Sequence, residues 1–163
     1  MYGPPGFAYV YFTYGMHFCV NLVCQPEGHA SAVLLRAGQV VDGVQLAAAR
    51  RASHRRSGEV PRETDLARGP ALLCEALGID RSQDGADVCT LDSPLRALAR
   101  PEPVPAGAIS SGPRVGISRA ADLAWRFWIT GDPAVSAYRA YAPRRARAKP
   151  VTTPQPEGGT ILQ

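Results

Sequence analysis

"YVYFTYGMHFCVNLV", residues 9–23, alternates apolar and polar side chains, turns at a glycine, and alternates again. Alternation with a period of two predicts two strands joined in a hairpin. A two-residue loop, Gly15-Met16, would set Tyr11 against Val20 and Val10 against Asn21, mixing polar and apolar side chains on both faces. A three-residue loop, Tyr14-Gly15-Met16, instead pairs Phe12 with Phe18, Val10 with Val20 and Ala8 with Leu22. That register gives one wholly apolar face, as a half-buried sheet requires, because a slip of one residue turns every side chain over. The other face then carries Tyr9, Tyr11, Thr13, His17, Cys19 and Asn21, with Tyr14 and Met16 at the tip.

A tyrosine-rich face also fits a hairpin that simply packs under a helix, since tyrosine favours strands. The tip argues for more, because exposed Tyr14 and Met16 serve no core and invite a partner. Large apolar side chains on a narrow hairpin are one means of entering the DNA minor groove and unstacking a base step. A tyrosine wall beside them can hold an extruded base by stacking, worth roughly 1–3 kcal/mol per base. Asn21 adds a donor and an acceptor for a base edge.

The rest of the chain is read around this hairpin. Its 163 residues suit one domain. A third strand is expected at 31–37, completing an antiparallel meander, and a helix from Val40 to Ala52 with Val41, Val44 and Ala48 on one face. The following "RRASHRR", residues 50–56, reads as a solvated charge run with at most nonspecific phosphate attraction. In "RGPALLCEALGI", Pro70 stands where a helix begins and Gly78 where one ends. Glu75 on that helix is expected to face solvent, and the amides after Gly69-Pro70 are a candidate phosphate site beside plain capping. Further strands are expected at "DVCTLD", "PRVGIS" and "WRFWIT", the last with Trp125, Phe127 and Ile129 on one face. The expected fold class is α+β, a single mixed domain with a curved antiparallel sheet, a protruding hairpin and surrounding helices. Residues 1–143 form that domain, and 144–163 a basic, Pro/Gly-rich tail expected to be disordered.

Net charge is +4, and 17 of the 18 basic residues are arginine, with Lys149 the lone lysine. Such an excess permits an anionic partner without requiring one. Cys19, Cys24, Cys74 and Cys89 form no C-x-x-C pair and no His stands at ligand spacing, so no metal site or cofactor is expected. The apolar run from Phe7 to Cys24 is interrupted by Thr13, Gly15, His17 and Asn21, which fits neither a leader nor a membrane span. A cytoplasmic monomer without membrane contact is the expectation.

From about Gly6 to Tyr138, five ordered blocks, "YVYFTYGMHFCVN", "AVLLRA", "RGPALLCEALGI", "PRVGI" and "RFWITGDPAVS", together resemble the alkyladenine (3-methyladenine) DNA glycosylases. The resemblance implies a monofunctional base-excision repair enzyme that flips alkylated or deaminated purines out of double-stranded DNA and hydrolyses the N-glycosidic bond. It makes Tyr14 the wedge, with Met16 and His17 beside it in the minor groove; the family often has tyrosine where His17 stands, and a surface histidine without that duty is the alternative. Tyr11 would stack on the extruded base and Asn21 exclude guanine at the pocket floor. Arg36 would lie near the catalytic water and the phosphate, and the Val115 carbonyl would help hold that water. The family's general base is a glutamate in an E-T-E-A-Y-like segment upstream of the hairpin. Here Tyr9 follows Met1 by only eight residues, so the chain as written is expected to be an N-terminally truncated fragment, with an uncovered strand edge and poor solubility. The alternatives are a noncatalytic damaged-DNA-binding module using the same wedge, and an unrelated β-rich domain whose tyrosines are core.

Overall fold

A computed structural model describes residues 1–100 and 102–139, and the expected tail at 144–163 lies outside them. The hairpin consists of β1 (Ala8–Thr13) and β2 (His17–Val23), paired Ala8 with Leu22, Val10 with Val20 and Phe12 with Phe18. The three-residue loop is therefore the one adopted. β3 (Ala32–Leu34) adds to β2, giving the antiparallel order β1-β2-β3. It is shorter than the expected 31–37, although Leu35 still donates to the Val20 carbonyl.

Ala8, Val10 and Val20 are buried against Leu66, Leu73, Cys74, Ala76 and Ile79, which anchors the hairpin's apolar face. Leu73, Cys74 and Ala76 come from α2 (Pro70–Leu77), and Ile79 follows its C-cap, Gly78. Gly78 ends this helix at φ 69°, and the Ile79 amide bonds back to the Cys74 carbonyl at 2.8 Å, as its sequence predicts. α1 (Val44–Ser53) begins later than expected, because Gly43 is left-handed at φ 65° and its amide is held by the Asp42 carboxylate. Val41 consequently lies before the helix and is exposed rather than on its buried face.

The "RRASHRR" run is not simply solvated. Arg51 is only 4% exposed; its Nε donates to the Leu66 carbonyl at 3.0 Å and its Nη1 pairs with Glu75 of α2. Glu75 thus turns inward rather than to solvent, because a guanidinium buried between two helices needs an anion.

"DVCTLD" is not a strand. Phe7 bridges Asp87, after which the Asp87 carboxylate accepts from the Cys89 amide and turns the chain away. Residues 84–88 instead cover the outer edge of β1: Val10 N–H donates to Asp84 Oδ1 at 2.8 Å, and Ala8 N–H to the Ala86 carbonyl at 2.8 Å. Part of the β1 edge is thus capped within the chain, by one carboxylate and one backbone carbonyl, whereas β3 ends the sheet on the other side.

The second sheet pairs β4 (Ile109–Gly112) with β5 (Arg126–Ile129), so the strand near "PRVGIS" falls just before it. Trp125, Phe127 and Ile129 share a face, as the alternation predicts, and that face is the outer one. Trp125 and Phe127 are 62% and 64% exposed, while Arg126 is buried with its guanidinium carbon 4.6 Å from the Trp128 ring centroid. Stacking on Trp128 and a bond to the Ser136 carbonyl at 2.6 Å draw the arginine inward. The domain is α+β, with antiparallel sheets of three and two strands. Among the described residues, no helix is long and apolar enough to cross a membrane.

Candidate nucleic-acid interface

The hairpin tip projects as the sequence predicts. Tyr14 is 85% exposed and Met16 nearly as open. Tyr14 sits at φ 52°, left-handed backbone that costs a non-glycine residue of order 1 kcal/mol or more. An exposed aromatic in a strained turn is an arrangement that folding alone does not select.

Behind the tip, Tyr9 and Tyr11 stack with ring centroids 5.6 Å apart and planes 18° from parallel. Burial, and then the Cys19 thiol opposite it, push the Tyr11 phenol up to about 12. Tyr11 is therefore neutral wherever DNA is duplex, an uncharged stacking surface. Asn21 is only 7% exposed, and its Nδ2 donates to the Tyr9 carbonyl at 3.2 Å, which fixes the amide's orientation. His17 pairs with Thr13 at the root of the loop, and its Nδ1 lies 3.6 Å from Glu75 Oε1. The imidazole thus meets the helix that carries the hairpin.

A prediction follows for Tyr11. With the folded pKa raised above the ordinary 10.0, its contribution to stability is complete below pH 10 and is lost as pH rises toward 12. Alkaline unfolding of Tyr11→Phe should lack that part of the decline seen in wild type, and identical curves would contradict the assignment.

Arg36 follows β3 and is half-buried; burial and then Arg126 lower its pKa. The two arginines share a cleft of about 490 Å³ with Trp128, Asp132 and Arg100. A second cleft, lined by β3, Arg36, Arg126, Arg114 and Trp125, adjoins them. Val115 follows Arg114 in the loop between β4 and β5 but lines neither cleft. The structure thus gathers Tyr11, Asn21 and the Tyr14–Met16 tip on one hairpin, and Arg36 beside an arginine that sequence reasoning passed over. The signal for Arg126 was a charge set among aromatics in "WRFW". Among the described residues, no three His, Cys, Asp or Glu side chains cluster as metal ligands would.

A family model described as methylpurine-DNA glycosylase (MPG) matches residues 1–133. A protein of Streptomyces avermitilis named "Putative 3-methyladenine DNA glycosylase" is 52% identical over 148 residues, covering 90% of this chain and 67% of its own length. Proteins of the same name from Nocardia farcinica and Mycobacterium tuberculosis are 47% and 48% identical, over 95% and 85% of this chain and 69% and 64% of theirs. This chain spans about two thirds of the length of these relatives.

Proposed function

This chain belongs to the methylpurine-DNA glycosylase family, and from that premise we propose that it serves base-excision repair, binding duplex DNA and acting on alkylated or deaminated purines. The observation that carries the reading is the exposed, left-handed Tyr14 beyond the stacked Tyr9 and Tyr11 rings. Tyr14 enters the base stack and fills the space a flipped nucleotide leaves, with Met16 and His17 flanking it in the minor groove. The extruded base stacks on Tyr11. Asn21, held through its bond to the Tyr9 carbonyl, rejects guanine by meeting its exocyclic amino group with an amide that cannot turn away.

In the reaction, water oxygen bonds to C1′ as the N-glycosidic bond breaks. The bonding electrons leave with the purine, and a general base takes the water's proton, which ends on the departing purine where that purine is uncharged; a cationic alkylpurine leaves neutral without it. Arg36 and the Val115 carbonyl orient this water. The reading makes the enzyme monofunctional, since the hairpin bears no lysine to form a Schiff base. It works as a cytoplasmic monomer without a cofactor.

No described carboxylate is assigned as the general base. Glu75 is engaged by Arg51, Asp84 by the Val10 amide, and Asp65 by Arg62 and Arg68. The groups that perturb Tyr11 and Arg36 are Cys19, Tyr9, Tyr14 and Arg126, with no carboxylate among them. Single-turnover excision from a duplex carrying one hypoxanthine tests this. The 163-residue chain is expected to bind that duplex in preference to an undamaged one without releasing the base. Excision by this chain would assign the base to one of its own carboxylates, and a borohydride-trapped adduct would overturn the monofunctional reading. Indifference to the lesion would refute damaged-DNA recognition itself.

A further inference from the structure

Arg126 is 6% exposed, and its buried Nε has no hydrogen-bond partner among the described residues. One Nη donates to the Ser136 carbonyl, and the Trp128 face covers the guanidinium. Arg36, half-buried, is near enough for the two positive charges to repel. Neither arginine makes an ion pair among the described residues. Among the described residues, the cleft they line carries Arg100 as a third cation, and Asp132 as its one carboxylate. Asp132 Oδ1 is bonded to the Ala134 amide and lies beyond ion-pairing distance of either arginine.

A buried guanidinium with an unpartnered N–H, sharing its cleft with a second, half-buried one, is costly unless an anion joins them. Planar forks of this kind match the oxygens of a phosphate or carboxylate. We propose that Arg126, together with Arg36, forms an anion site that takes one phosphodiester of the bound DNA. The inference rests on the reading that the chain binds duplex DNA. It adds a buried second arm, braced by Trp128 and the Ser136 carbonyl, to the arginine that follows β3. The bracing leaves Arg126 little freedom to lose on binding.

The test uses the 163-residue chain and a duplex with a tetrahydrofuran abasic-site analogue, its flanking phosphates replaced one at a time by neutral methylphosphonates. In wild type, replacement at one position is expected to cost about tenfold in affinity and to lower the slope of log affinity against log salt by about 0.9. Arg126→Met should lose the same affinity and slope on the unmodified duplex, and nothing further at that methylphosphonate. Should Arg126→Met fail to fold, Arg36→Gln, at the half-buried partner, carries the same comparison. A folded variant that keeps the wild-type slope and the full penalty at every position would overturn the proposal. Wild type that binds the analogue duplex no better than an undamaged one, with Tyr14→Ala unchanged from it, refutes the DNA reading and this site with it. Preference for the analogue without any position-specific penalty refutes the site alone.

Discussion

Glu75→Ala is expected to destabilise the domain by about 3–5 kcal/mol, the usual cost of leaving a buried ion without its partner. Arg51 is the more deeply buried member: its side chain is 5% exposed against 16% for Glu75. Removing the carboxylate strands a guanidinium between α1 and α2 that water cannot reach. Its Nε would keep the Leu66 carbonyl, but Nη1 would lose its acceptor. Arg51→Met should cost less, because methionine keeps the apolar stem packed and the surviving carboxylate has partial access to water and to His17. Urea denaturation of the two variants should therefore give midpoints that both fall, with Glu75→Ala lower. Equal or reversed midpoints would show that the pair is not the interior contact described here.

Tyr14→Ala is expected to weaken binding to a duplex containing an abasic-site analogue by about 1–3 kcal/mol, the range for loss of one aromatic–base stack. Fold stability should barely change, since the side chain is almost wholly in solvent. Tyr14→Gly sharpens the contrast. Glycine accepts φ 52° without strain, so this variant should be at least as stable as wild type while binding as poorly as the alanine variant. Thermal melts and fluorescence-anisotropy titrations measure the two effects separately. A residue kept for the core would show the opposite pattern, losing stability with little effect on DNA.

The hairpin was legible because its register is over-determined: only the odd loop puts Phe12, Val10 and Ala8 opposite Phe18, Val20 and Leu22. α2 was legible for a similar reason, with Pro70 and Gly78 marking its ends. β4, "ISSG", carries no alternation to read, and its pairing with β5 depends on contacts far along the chain. The alternation of β5 was legible but not which face turns inward: Arg126 stacks on Trp128 and is buried while Trp125 and Phe127 stay exposed. Arg51 and Glu75 lie 24 residues apart, and nothing in a run of arginines tells which one is buried. The site divided the same way. Local residues of the hairpin were found from spacing, whereas the Arg36–Arg126 juxtaposition arises only when β5 is brought beside the end of β3.

The most direct test of the central claim, that the hairpin tip is a DNA wedge, is 2-aminopurine fluorescence. The fluorophore is placed beside a tetrahydrofuran site in a duplex, and the 163-residue chain is added to saturation. Wild type is predicted to raise the emission as Tyr14 unstacks the neighbouring step, and Tyr14→Gly, at saturation, to leave it near the value of free duplex. The same rise with both proteins, or none with wild type, would contradict the claim.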